Sequence, residues 1–263
     1  MITAGTAEPI KSSCRKNNKM NKYFLSGLIL VLLPVAVVYA IAGRADEGIT
    51  LPLTRVIYPE SEASGITFTV TNNTDHVYLL QSRVLPAKDD ESGVQAPFIV
   101  VPPLTRFEPG TAVTLLIRQT DRPVVVDKES QESLWRLALK TIPAQQNTED
   151  LQTGDKQLVL ALQNNLKLFY RPSVITELTE NERAEQLQFA LNDSQMTVVN
   201  PTPYYITFSE LVVDGLPVKI ESDRMIAPYS TMGYSVKPTA SEVSWMLIGD
   251  DGRQTIRLQR LLR

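Results

Sequence analysis

The sequence predicts an all-β protein: two β-sandwiches preceded by an export leader. Three observations predict it. Helical periodicity is almost absent. Short alternating apolar–polar runs recur between Asn, Asp, Gly and Pro turns, the pattern of half-buried strands. The set of runs starts afresh after Pro172, which divides the exported chain of about 220 residues into two stretches of domain size.

The leader comes first. Leu25 to Ala42 is apolar and uncharged, and Lys19 and Lys22 stand before it. Ala40-Ile41-Ala42 fits a small-x-small cleavage site, and Gly43-Arg44-Ala45 is a second candidate. Met20 is the better start codon, because Met1 to Lys19 has neither core nor signal character. The alternative is a membrane anchor, since the run approaches spanning length, although Pro34 interrupts it.

The strands of the first sandwich follow. Ile49 to Tyr58 carries apolar residues at Ile49, Leu51 and Leu53, then changes phase to Val56 and Tyr58. Such a change marks a bulge or a switch between sheets. Gly65 to Asn72 points Ile66, Phe68 and Val70 inward. Asn72 to Asp75 is a turn, and Val77 to Leu85 is the return strand. Lys88 to Gln95 is a polar loop. Phe98 to Val101 is a short strand stopped by Pro102-Pro103. Glu108-Pro109-Gly110 turns the chain into Val113 to Arg118, and Ser133 to Ile142 follows. Gln145 to Gln157 is a polar, acidic loop.

Leu158 to Pro172 is then a strand of unusual length. Leu158, Leu160, Leu162, Leu166, Leu168 and Tyr170 share one parity, broken by Asn164. Leu166 onward reads as core. Leu158, Leu160 and Leu162 lie further out and are candidates for an exposed ridge. An overhanging apolar strand is an aggregation hazard unless a partner strand adds there. Seven strands in about 125 residues match the spacing of an immunoglobulin-like sandwich without its cysteine-tryptophan-cysteine mark.

The second sandwich is read at Leu187 to Leu191, Met196 to Val199, Tyr204 to Val213, Val218 to Ile220, Gly233 to Val236 and Val243 to Ile248. Gly249 to Gly252 is a tight turn, and Thr255 to Leu262 closes the set. The expected boundaries are 1–45 for the leader, 46–171 for the first sandwich and 172–263 for the second. No repeat is visible.

Composition excludes several functions. Residues 1–42 hold five Lys or Arg against Glu8, so their removal takes the net charge from −3 to −7. Nucleic-acid binders need a basic face. The single cysteine, Cys14, lies in the leader, so the exported part folds without a disulfide. One histidine, His76, leaves no multi-histidine metal site. No Gly-x-Ser-x-Gly elbow or phosphate-binding glycine loop occurs. No separated carboxylate pair marks a glycosidase.

Two charged sets stand out. Arg55 lies at the phase change of the first strand, and Lys167 lies on the polar parity of the long one. If both face the junction between sandwiches, they make a site for a carboxylate, a planar fork beside a point charge. Otherwise each is a solvated strand charge. Arg171 sits in the short linker, where Glu132, Asp250 and Asp251 could reach it from both sides. Such a network would fix the angle between domains more than it would add stability; as surface charges these residues would matter little.

Several segments resemble the periplasmic pilus chaperones of the chaperone–usher pathway. They are Thr54-Arg55-Val56, PPLTRFEPG from Pro102, ESLW from Glu132, Ile142-Pro143, KLFYRP from Lys167, NPTPYYIT from Asn200 and IGDDG from Ile248. They occur in family order and cover nearly the whole exported chain. The resemblance implies two immunoglobulin-like domains in an L and a periplasmic location. It implies that Arg55 and Lys167 anchor the C-terminal carboxylate of a pilin subunit, and that Leu158, Leu160 and Leu162 lend it a strand. It also implies that Arg171, Glu132 and Asp250 form the inter-domain salt-bridge set. The expected partners are pilin or fimbrial subunits and an outer-membrane usher, where the strand is exchanged. The chain would be no enzyme and need no nucleotide or metal cofactor. An exposed strand also allows self-association of the free protein. The loop before the strand carries no cysteine, a departure from the long-loop branch that favours the short-loop one. The competing expectation is a two-domain structural or adhesive protein, in which the leucines would be covered internally.

Overall fold

Strand propensity and alternation account for most of the architecture. The computed structural model describes residues 48–88, 95–121, 130–144, 160–219 and 224–262. The leader, its cleavage sites, Cys14, Leu158 and the whole of the acidic loop lie outside them. Among the described residues no helix is long and apolar enough to cross a membrane.

The first sandwich packs two sheets. One is ordered β1 (Ile49–Thr50), β3 (Ile66–Asn72), β7 (Ala112–Gln119), β5 (Phe98–Val101). The other is ordered β2 (Arg55–Pro59), β9 (Leu162–Arg171), β8 (Ser133–Pro143), β4 (Tyr78–Pro86), β6 (Leu104–Phe107). The phase change at Thr54 is therefore a sheet switch: β1 pairs with β3, while β2 crosses to pair with β9. The core between the sheets holds Val70, Leu80, Leu115, Ile117, Leu137 and Leu168, all fully covered. Tyr58, Phe98, Trp135 and Tyr170 close one end as an aromatic cluster, with centroids 5.2 to 6.1 Å apart.

The second sandwich packs β10 (Gln188–Asn192), β11 (Gln195–Val199) and β15 (Thr231–Ser235) against a second sheet. That sheet is β13 (Leu216–Pro217), β12 (Ile206–Val213), β16 (Glu242–Leu247) and β17 (Leu258–Leu261), with β14 (Met225–Ile226) also on β12. Trp245 and Phe208 centre its core. Residues Glu47–Arg263 form one compact unit.

The structure adds elements the alternation did not reveal. Leu104–Phe107 is a strand after all: Pro102-Pro103 stops β5, but the chain resumes pairing on another sheet, against β4. Val218 leaves the strand that Leu216 and Pro217 form, and Ile220 lies outside the described residues. A short helix, α1 (Glu180–Gln186), opens the second sandwich. Thr179 caps it: its Oγ1 accepts from the Glu182 N–H, and the Glu182 carboxylate accepts from the Thr179 N–H. Trp245 Nε1 donates to Ala184 O at 3.1 Å, which ties the helix to the core.

One turn recurs in both sandwiches although the sequences around it differ. Asn72 and Asn200 are fully buried. Each Oδ1 accepts from the N–H and hydroxyl of the threonine two residues on, Thr74 or Thr202. Each Nδ2 donates to the carbonyl four residues on, His76 or Tyr204. A buried amide bonded this fully replaces water for an irregular stretch of backbone.

Candidate functional site

Parallel pairing of β2 with β9 sets Arg55 directly opposite Lys167. Partners on neighbouring strands lie roughly 5 Å apart and share a face, so two cations stand side by side. Arg55 is 7% exposed. Its Nη1 donates to the Ile248 carbonyl at 3.1 Å, and its guanidinium carbon lies 5.8 Å from the Phe169 ring centroid. Its Nε is buried and has no hydrogen-bond partner among the described residues. Burial pushes the Arg55 guanidinium below its ordinary value, against the pull of Asp250 and Glu132. The Lys167 ammonium reaches Met225 Sδ at 3.3 Å, a soft acceptor that a carboxylate would outcompete.

The second sandwich lines the other side of this site. Thr207 pairs with Met225 across β12 and β14. Thr207 and Arg55 line one small cavity with Phe169, Tyr205 and Ile248. Thr207 Oγ1 is also buried without a partner among the described residues. Two donors held out of water and a lysine beside them make a place for an anion. Thr207 ends the NPTPYYIT run but is not among the candidate site residues, since a threonine in a strand carries no chemical signal of its own.

Beside it lies a network of four charges. Glu132, 3% exposed, accepts from Arg171 Nη2 at 2.7 Å and Nε at 2.9 Å, and from the Tyr205 N–H at 2.8 Å. Arg171 donates on its other side to Asp250 at 3.0 and 3.1 Å. Arg183 donates to the same carboxylate at 3.1 and 3.2 Å. Both guanidiniums lie over the Tyr204 ring, the central carbon of Arg171 5.0 Å and that of Arg183 3.9 Å from its centroid. Burial would raise the Asp250 carboxyl, but the hydrogen bonds from Arg171 and Arg183 and their charges hold it below its ordinary value. Glu132 goes the other way, pushed up by burial against the pull of Arg171. Arg183 is on the short helix that the alternation did not reveal, so its part was hidden with it. The capping pair Thr179 and Glu182 was the signal that could have found both. Asp251 stays outside the network; its carboxylate accepts from the Arg253 N–H at the surface.

The long strand changes character along its length. Antiparallel pairing with β8 runs from Leu162 to Tyr170, but β2 covers the other edge of β9 only from Lys167. The edge is therefore bare over Leu162 to Leu166 among the described residues. Leu166 and Leu168 are 5% and 0% exposed, while Leu160 and Leu162 are 63% and 66% exposed. An apolar ridge and a free row of backbone donors and acceptors thus coincide, the arrangement that takes an added strand.

His76 pairs with its neighbour Asp75 in an exposed turn. Among the described residues no group of three or more His, Cys, Asp or Glu is placed to hold a metal ion.

Residues 48–176 match the family model described as pili and flagellar-assembly chaperone, PapD N-terminal domain. Residues 182–257 match pili assembly chaperone PapD, C-terminal domain. The chain is 30% identical to the chaperone protein FimC of Escherichia coli over 247 residues, 93% of this chain and 95% of that one. Among solved structures it is similar to the E. coli chaperone DraB, with a TM-score of 0.69 and 29% identity over 82% of this chain and 97% of DraB. The SafB chaperone of Salmonella enterica, solved in complex with the SafA pilin, also gives a TM-score of 0.69. Its identity is 26%, over 84% of this chain and 99% of that one.

Proposed function

The chain belongs to the PapD family of pilus-assembly chaperones, and from that membership we propose that it is a periplasmic chaperone, not an enzyme, that holds fimbrial subunits until an outer-membrane usher takes them. Solved relatives support the client class, since SafB is seen bound to a pilin.

The observation that carries the reading is the placing of the cation pair at the end of a bare, greasy strand edge. Arg55 and Lys167 receive the C-terminal carboxylate of the subunit. Leu160 and Leu162, with Leu158 before them, enter the groove left by the strand that the subunit lacks. Backbone bonding along the edge gives affinity, and alternate leucines fill the groove. This covers both hazards of an unfinished sandwich, its open edge and its apolar interior. Arg171, Glu132 and Asp250 tie the second sandwich to the strand that carries Lys167, so that the cavity beside Arg55 keeps its shape. No metal or nucleotide takes part. The boundary between sandwiches is placed at Arg171-Pro172, and residues 1–45 are read as the export leader.

A purely structural or adhesive role would have its leucines covered by their own domain. Leu160 and Leu162 are exposed, so no observation favours it. The test is Lys167→Ala, whose partly exposed side chain can be removed without a core cavity. The variant should keep its circular dichroism and melting temperature and lose co-purification of the subunit from periplasmic extracts. Undiminished capture would overturn the anchoring role.

A further inference from the structure

Asn164 is the polar break in the apolar row of β9. That row faces inward, because its partners on β8 are themselves buried: Thr141 opposite Leu162, Leu139 opposite Asn164 and Leu137 opposite Leu166. Residues directly opposite in an antiparallel pair share a face. Asn164 is exposed where cover by its own sandwich ends, between Leu162 at 66% and Leu166 at 5%. Its amide has no side-chain hydrogen bond among the described residues. On the opposite face, by contrast, Gln163 Nε2 donates to Asn165 Oδ1 at 2.9 Å.

A client strand added to the bare edge would cover Asn164 as well as the leucines. An amide covered without a partner is costly, whereas a leucine there would be welcome. We propose that Asn164 sets the register of the donated strand by requiring a hydrogen-bonding group on the subunit, roughly 10 Å along the strand from Lys167. This deepens, and rests on, the chaperone reading above. A slide of one residue would turn the leucines outward. A slide of two would press Asn164 into an apolar pocket meant for leucine. The carboxylate clamp alone fixes one end of a flexible contact; a second polar fix point makes the match unique. A single polar residue in an apolar seam fixes register at a cost in stability by the same logic. That cost also keeps the donated ridge displaceable.

The test compares Asn164→Leu and Asn164→Ser with the native chain. The probe is the fimbrial subunit that the native chain captures from periplasmic extracts, produced without its N-terminal extension, and the exchange competitor is a synthetic peptide of that extension. Asn164→Leu should release the pilin, and yield to the peptide, at least roughly tenfold more slowly. Cross-links from Leu162→Cys, introduced into the Asn164→Leu chain, to single cysteines in the pilin groove should spread over two registers. Asn164→Ser should keep the native rates and a single register. Release and exchange within about twofold of native, with one unchanged cross-link, would overturn the proposal. A native chain that captures no pilin would overturn the chaperone reading itself; native capture with an indifferent Asn164→Leu overturns this inference alone.

Discussion

Asp250 accepts four hydrogen bonds from two arginines, and its value as an ion pair follows from that count rather than from its sequence position. Its carboxyl is held below the ordinary value of 3.8. The folded state therefore binds the proton more weakly than the unfolded chain, and the stabilisation is fully present above that ordinary value. It is lost as pH falls through the lowered folded value. Asp250→Asn should cost roughly 1.5–3 kcal/mol at neutral pH and flatten the acid limb of the stability profile. Urea unfolding between about pH 2 and 7 checks both; an unchanged acid limb would show that other carboxylates set it. Arg55 and Lys167 were legible as candidates because both are cations at unusual places in a strand pattern. Their adjacency was implied only by the family resemblance, because parallel pairing between residues 112 positions apart leaves no local trace.

At the scale of the element, β9 does two jobs along one continuous strand. Its alternation was readable, and so was the break at Asn164. The point where core gives way to exposed ridge was set by neighbours: the opposite sheet covers Leu166 and Leu168, and β2 starts at Arg55. Leu168→Ala should therefore destabilise the free protein by roughly 2–5 kcal/mol through a core cavity. Leu162→Asp should leave it within about 0.5 kcal/mol and abolish subunit capture. Melting temperatures and co-purification of both variants decide it; a large loss of stability in Leu162→Asp would mean that the residue is core. The strand Leu104–Phe107 and the helix Glu180–Gln186 escaped notice for different reasons. Four residues beside two prolines give too short a run for periodicity, and a seven-residue helix announces itself through its cap rather than its face.

For the whole molecule, Arg171 is the common partner of a buried glutamate at the start of β8 and an aspartate after β16. Its removal strands Glu132 without its cation, a loss of roughly 3–5 kcal/mol for a buried pair broken on one side. The native chain should unfold in one calorimetric transition, and Arg171→Ala should uncouple the sandwiches so that two are resolved. A single transition merely shifted downward would show that other contacts carry the coupling.

The sequence by itself determined most of the strand repertoire and the phase change near Thr54, which it left as either a bulge or a sheet switch, and its charge and single histidine argued against nucleic-acid binding and histidine chemistry. It also determined the specific runs, KLFYRP and NPTPYYIT above all, that carry the family likeness. These are local properties: alternation, charge and composition are written residue by residue. Only the tertiary structure decided which cation stands beside which, that Thr207 and Arg183 join them, and where the leucine ridge emerges from its own core. Pairing and burial are relations between distant segments, fixed by how two sheets close on each other rather than by any one stretch of chain.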